Sequence, residues 1–481
     1  MFFNSFSYFI FLPVVFLLFM LVPDRLRWLL LLLASYVFYG FLLKPALLVV
    51  LTVVILITFW FGKFIDQSQD LLSRKRMLWL VVAANLSFLL YFKYAPFLVQ
   101  NLNILLGSIA GNVALDVPPL LVSIGISFFI FQAISYLADI YFRTAKPEPH
   151  LGYLALYLSF FPKLLQGPIE RSKDLLPQLK QPYNFDYDSF RSGLLMFTWG
   201  LFKKVVVADR LAVYVNAVYG NVNSYTGLTL ILATYLFTIQ IYFDFSGYTD
   251  MALGTARIFN LRLTQNFNSP YLATSVADFW RRWHISFSRW IFEYVFEPLQ
   301  MKFRNYGKWG IAAALLVTFI VAGLWHGASW TFILFGLTHG IYLSVEFVYK
   351  PYRKKLYKLL GVEKSSWLKW WQVFVTFNLV SFAYVFFRAD NLGDAWYVIT
   401  NLSFNLSQLR SDIFLSQGIR PLLLLLTCIT LMVIAAIQPQ IAVWFKGLFN
   451  SSGRWLFYYL FVMFILICGL FDNSEFIYGR F

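Results

Sequence analysis

The sequence predicts an all-α polytopic membrane protein, and three observations carry that reading. Of 481 residues, 60% are hydrophobic and 21% aromatic, and only 13% are charged, against about 25% in an ordinary soluble domain. Roughly a dozen stretches approach the ~20 apolar residues that a spanning helix needs. The charge balance is +16, and the bases fall mostly in short segments between apolar runs. A single soluble catalytic domain is excluded. In a soluble chain such a balance would point to nucleic acid. Here it reads as the positive-inside signal plus attraction to membrane lipids or an anionic cytosolic substrate, with no nucleic acid partner.

The first apolar run, 7–22, has no Lys or Arg before it and no small-residue cleavage site after it, so a retained helix is expected rather than a removed signal peptide. Segments 28–43, 46–62, 78–93, 96–110, 119–140, 151–166, 191–208 and 226–243 follow as candidate spans. After a more polar stretch come 309–324, 328–346, 370–387, 421–437 and 455–471. With no fixed-period repeat or soluble-length insertion, residues 1–481 read as one membrane-embedded domain whose motifs concentrate at about 119–349. Cys428 and Cys468 both sit in apolar runs without a CxxC, which excludes a disulfide framework and a zinc ribbon.

Two basic loops set the expected orientation. Arg281, Arg282, Arg289, Lys302, Arg304 and Lys308 lie in 281–308, and Lys350, Arg353, Lys354, Lys355, Lys358, Lys364 and Lys369 in 350–369. Both loops should face the cytoplasm. The chain between them must then cross and return, and 309–345 supplies 37 residues without an Asp, Glu, Lys or Arg. That segment is expected to be a helical hairpin or re-entrant pair, with Gly323 and Gly327 permitting a sharp turn or close backbone approach around Trp325 and His326. His326 should lie deep in the membrane. In 272–290, Phe279, Trp283, Phe287 and Trp290 recur at helical spacing while Asp278, Arg282 and Arg289 cluster elsewhere, so an interfacial helix or a cavity mouth is expected.

Four histidines are present, His150, His284, His326 and His339. A titratable ring deep in an apolar hairpin is costly unless paired, which makes His326 a functional candidate against the plainer reading of a packing hydrogen bond. His284 is either catalytic or a solvated interfacial side chain, and His339, on a smooth apolar helix, reads as structural. No HxxxH or HExxH spacing exists, so no metal site is expected. Asp244 and Asp250 end a long apolar run with Ser246 and Gly247 between them, and carboxylates at such depth pair with bases. The nearby candidates are Arg257, Arg281 and Arg282, in a catalytic role or in a buried ion pair fixing a helix break at Gly247. DFSGY lacks the GxSxG elbow, so Ser246 is not read as a hydrolase nucleophile. In FFPKLLQGPIERS, Pro162, Gly167 and Pro168 interrupt a helix ahead of Glu170 and Arg171, which forms either the wall of a substrate path or an ordinary helix end.

Taken together, FFPKLLQGPIERS (160–172), IYFDFSGYTDMALGTARIFN (241–260), NFNSPYLATSVADFWRRWHISFSRW (266–290) and GLWHGASWTFILFGLTHGIY (323–342) resemble the membrane-bound O-acyltransferase (MBOAT) family. FNSFSYFIFLPVVF and GISFFIFQAISYLADIY (125–141) are similar to its bacterial alginate O-acetylation branch. The resemblance implies a ring of about 11–14 transmembrane and re-entrant helices around a tunnel, which the acyl donor enters from the cytosol and the acceptor from the opposite face. It implies that His326 is the catalytic histidine and His284 a second active-site histidine. Neutral imidazole suits removal of a hydroxyl proton during acyl transfer from a thioester, and His284 or Trp325 could serve the oxyanion. Arg281, Arg282 and Arg289, with Trp325, are expected to bind the phosphate-bearing donor, with Asp244, Ser246 and Asp250 in support. No tightly bound cofactor is expected; the thioester, acetyl-CoA or a phosphopantetheine carrier, is a substrate.

The function implied is O-acetylation of an exported polysaccharide or cell-wall polymer by a bacterial inner-membrane enzyme, completed by a periplasmic or extracellular partner protein. D-alanyl transfer from a carrier protein to a teichoic-acid pathway is the second reading. Outside that class stand a proton- or ion-coupled transporter using Asp244, Asp250 and His326, and a scaffold without chemistry. The tail NSEFIYGRF departs from relatives that end in an aromatic-rich run, which puts a partner contact there in doubt.

Overall fold

The structure is a computed structural model that describes residues 1–41, 44–110, 115–118, 124–403, 451–471 and 476–477. Every regular element among the described residues is a helix, as the composition requires. In a bilayer only a helix or a closed barrel satisfies every backbone N–H and C=O internally.

The chain forms two compact units. The first comprises Met1–Trp199, Tyr248–Gln265 and Glu475–Phe481. It opens with α1 (Phe6–Leu21), α2 (Asp24–Gly40), α3 (Pro45–Gln67), α4 (Leu71–Leu89) and α5 (Ala95–Ala110). These continue into α6 (Ile126–Tyr141), α7 (Leu151–Ser159), α8 (Phe161–Leu164) and α9 (Ser172–Leu179). α3 buries Leu47, Leu51, Val54 and Ile65 and exposes Val49, Leu56 and Trp60, the arrangement of a helix facing protein on one side and lipid on the other.

The second unit, Gly200–Gly247 and Asn266–Ser474, contains the histidine-bearing segments. Its helices are α11 (Asp209–Tyr219), α13 (Val276–Arg282), α14 (Ile285–Ile291), α15 (Glu297–Lys302), α16 (Gly307–His326), α17 (Trp330–Leu359), α18 (Ser366–Arg388), α19 (Leu392–Thr400) and α20 (Ser451–Cys468). α10 (Tyr187–Phe202) and α12 (Leu228–Ile258) contribute residues to both units.

Six helical runs among the described residues are long and apolar enough to cross a membrane: 45–67, 71–109, 228–258, 304–326, 330–359 and 366–388. Several expected boundaries change, each for a local reason. Segments 78–93 and 96–110 form one helical run, in which the π-helical turn Leu90–Tyr94 precedes Pro96 and absorbs the irregularity that a proline brings to a helix interior. Segment 151–166 is broken at Phe160, leaving helices of nine and four residues. The expected span 226–243 stops short of the helix: α12 runs unbroken through Gly247 to Ile258, fifteen positions beyond Phe243. Most of the basic loop 350–369 is helix, since α17 continues to Leu359 and α18 begins at Ser366. The expected span 421–437, Cys428 and the Gly479–Arg480 departure lie outside the described residues.

Candidate active site

The apolar hairpin expected at 309–345 is α16 and α17, joined by residues 327–329. Ser329 caps α17 by accepting the Phe332 N–H. Glycine sets the separation of the two helices: a Cβ on Gly323 would lie 2.2 Å from the Phe332 carbonyl oxygen, and one on Gly336 2.1 Å from that of Phe319. Only hydrogen fits between backbones this close. His326 is the last residue of α16 and is buried.

One amphipathic helix over 272–290 is not what forms. α13 and α14 are separated at Trp283 and His284, and Phe279, Trp283, Phe287 and Trp290 are all buried against protein. The break is conformational: His284 adopts the left-handed region, φ 44° and ψ 53°, which carries about 1–3 kcal/mol of strain for a non-glycine residue. Each amide at the start of α14 then has a partner. Asn266 accepts the Ile285 N–H through its carbonyl oxygen at 3.0 Å and the Ser286 N–H through Oδ1 at 3.1 Å. The His284 Nδ1 accepts the Phe287 N–H at 3.3 Å.

That last bond fixes the ring chemistry. A nitrogen that accepts an N–H is unprotonated, so the neutral His284 ring carries its proton on Nε2 and presents a donor there. Burial lowers the His284 pKa from its ordinary value to about 3, which keeps the ring neutral.

The two histidines meet through shared aromatic neighbours. The His284 ring centroid lies 5.0 Å from Phe287 and 5.8 Å from Trp325; His326 lies 5.7 Å from Phe287 and 5.0 Å from Trp325. Phe287 and Trp325 stack at 4.3 Å. Phe245 closes the cluster beside His284, and Phe335 and Phe387 close it beside His326.

The remaining sequence candidates divide. His339 is structural in this arrangement: its Nδ1 accepts the Trp280 indole N–H at 3.2 Å. His150 caps α7 in the first unit. Arg281 and Arg289 are exposed, while Arg282 is half-buried and donates to Asp278 at 3.1 Å. Asp244 corrects an expectation, because its base is Lys204 rather than Arg257, Arg281 or Arg282. The Lys204 Nζ lies 2.8 Å from both Asp244 and Asp209, and all three groups are at most 7% exposed. Gly247 does not break α12; it admits the Gly200 carbonyl, which would lie 2.8 Å from a Cβ. Ser246 is buried in the second unit, and Asp250 belongs to the first. Among the described residues no cluster of three His, Cys, Asp or Glu could hold a metal. In the first unit, FFPKLLQGPIERS contains α8 and then runs as irregular backbone over 165–171 to α9, where the buried Glu170 accepts the N–H and hydroxyl of Thr264.

Sequence reasoning missed Lys204, Asp209 and Asn266. Lys203 and Lys204 interrupt the apolar run 191–208, and a base inside a candidate span is a signal in its own right. Asn266 offered no such signal, because its role depends on a backbone conformation eighteen residues downstream.

A profile of the MBOAT, membrane-bound O-acyltransferase family, matches residues 31–386. The peptidoglycan O-acetyltransferase of Helicobacter pylori is 35% identical over 407 residues, 77% of this chain and 73% of that protein. The probable alginate O-acetylase AlgI of Pseudomonas aeruginosa is 38% identical over 399 residues, 81% of this chain and 72% of its own. The teichoic acid D-alanyltransferase of Bacillus subtilis is 26% identical over 273 residues, 55% of this chain and 68% of that protein.

Proposed function

The chain belongs to the membrane-bound O-acyltransferase family and is a multi-pass O-acyltransferase, and from that premise we propose that it transfers acetyl groups from a cytosolic thioester donor across the bacterial inner membrane, for O-acetylation of an exported polysaccharide or cell-wall polymer. The observation that carries this reading is the pairing of His326 and His284 around Phe287 and Trp325. Acetyl rather than D-alanyl transfer is favoured by the greater identity and coverage of the two O-acetylating relatives.

In the proposed reaction, His326 is the general base. It takes the proton of the acceptor hydroxyl as that oxygen bonds to the thioester carbonyl carbon. The resulting oxyanion receives a hydrogen bond from the His284 Nε2–H, a neutral donor fixed in place before the reaction begins. Collapse of the tetrahedral intermediate breaks the C–S bond, and the departing thiolate recovers the proton from the His326 imidazolium. The C-terminal end of α16 is the end of a helix at which a transient cation is favoured. The aromatic surroundings limit water, which favours transfer over hydrolysis.

Arg281 and Arg289, exposed on α13 and α14, are proposed to hold donor phosphates from the cytosolic side; Arg282, engaged by Asp278, is proposed to contribute less. The acceptor is proposed to be reached through a periplasmic or extracellular partner protein. The test is purified protein in nanodiscs supplied either with radiolabelled acetyl-CoA or with a D-alanyl-loaded carrier protein. The expected result is release of free coenzyme A thiol from acetyl-CoA. Consumption of the loaded carrier alone would replace acetyl by D-alanyl transfer.

A further inference from the structure

Asn266 stands outside the catalytic pair, yet it holds two of the three amides that open α14 immediately after His284. Its side chain is fully buried, and the two bonds come from one residue at two angles, one from the main-chain oxygen and one from Oδ1. The third amide, Phe287 N–H, bonds the His284 ring itself. Rotating the imidazole costs the Phe287 bond, and displacing the turn that carries this amide costs the two bonds to Asn266. The left-handed backbone at His284 stores strain that would otherwise relax by extending α14 backwards into α13. A second strut joins the same strands of chain, the Asn268 N–H to the Arg282 carbonyl at 3.0 Å.

We propose that Asn266 is the positioning residue of the active site, holding the His284 imidazole with its Nε2–H directed at the reacting carbonyl through the Oδ1 bond to Ser286. The proposal rests on the catalytic reading of His284 and His326 given above. A clamp of this kind acts on the transition state, because the oxyanion exists only there, so its loss lowers kcat and leaves donor binding in place.

The side chain allows the acceptor to be tested separately from the rest of the amide. Nδ2 makes no hydrogen bond among the described residues, so Asn266→Asp keeps the acceptor that Ser286 uses, whereas Asn266→Ala removes it. The experiment measures kcat and KM for acetyl-CoA with wild type, Asn266→Ala, Asn266→Asp and His326→Ala, each at matched protein level and matched elution in detergent. Expected are a fall in kcat of about 30- to 100-fold in Asn266→Ala, with KM within about threefold, and recovery to within about fivefold of wild type in Asn266→Asp. Wild-type kcat in Asn266→Ala would overturn the proposal, as would equal loss in both variants. If Asn266→Ala does not accumulate, Asn266→Ser serves instead: its shorter side chain should lower kcat at unchanged KM, and a wild-type kcat would overturn the clamp. An active His326→Ala would count against the catalytic assignment itself. An inactive His326→Ala beside a fully active Asn266→Ala would count against the clamp alone.

Discussion

His284 is the residue whose chemistry the geometry narrows most. Because its Nδ1 accepts the Phe287 N–H, its ring proton sits on Nε2, and glutamine can place an amide N–H close to that position. His284→Gln is expected to retain more activity than His284→Ala, which should lose about 100- to 1,000-fold in kcat, as removal of an oxyanion donor does. Equal loss in the two would remove the donor role. The same burial makes a prediction about pH. The folded ring has its pKa lowered to about 3, below the unfolded value near 6.5, so the unfolded state binds the extra proton. Stability is therefore unaffected above pH 6.5 and falls as pH drops from there toward 3. His284→Gln should flatten that slope in thermal unfolding of the detergent-solubilised protein; an unchanged slope would contradict it. The sequence identified His284 and His326 but not their tautomers, since a ring's proton position follows from the neighbour at its other nitrogen.

At the scale of elements, two packing devices hold the site. In the α16–α17 hairpin, Gly336→Ala would drive a methyl into the Phe319 carbonyl, and overpacking of this kind costs about 1–3 kcal/mol or more. A lower unfolding temperature and lower yield are expected; wild-type stability would show that the helices can separate at no cost. The second device is the buried triad of Lys204, Asp209 and Asp244, carried by the π-helical turn Lys203–Ala208 and by α11 and α12. This turn also leaves the Val205 carbonyl to accept the Leu470 N–H just beyond α20. Removing one charge strands the others, so Lys204→Met is expected to destabilise by about 3–5 kcal/mol. Adding Asp209→Asn and Asp244→Asn should recover part of that loss, measured by unfolding of all three proteins. The hairpin was legible because 309–345 lacks charge altogether. The π turn was not, because nothing local distinguishes it from the helix it interrupts. The break at His284 was also hidden, since the aromatic spacing across it is that of one continuous helix.

At the scale of the molecule, an all-helical, multi-pass chain was readable from composition, and the motifs pointed to the two histidines. What the sequence could not give was which partners close each site. Asp244 had three arginine candidates by proximity in sequence, yet its base is Lys204, forty residues away and brought close by the fold. The same limit applied to 78–93 and 96–110, expected as separate spans but joined in a run of 39 residues. The orientation expected from the basic segments is also open to test: cysteines placed at Lys354 and Lys364 should react with a membrane-impermeant maleimide only from the cytoplasmic side, and labelling from the periplasm would invert the topology. The central claim is that His326 is the base of an acyl transfer, and the most direct measurement is acetyl-CoA consumption by purified wild type and His326→Ala in nanodiscs with acceptor supplied. The account predicts turnover by wild type and none above background by a variant that folds and inserts normally; turnover by that variant at the wild-type rate would contradict it.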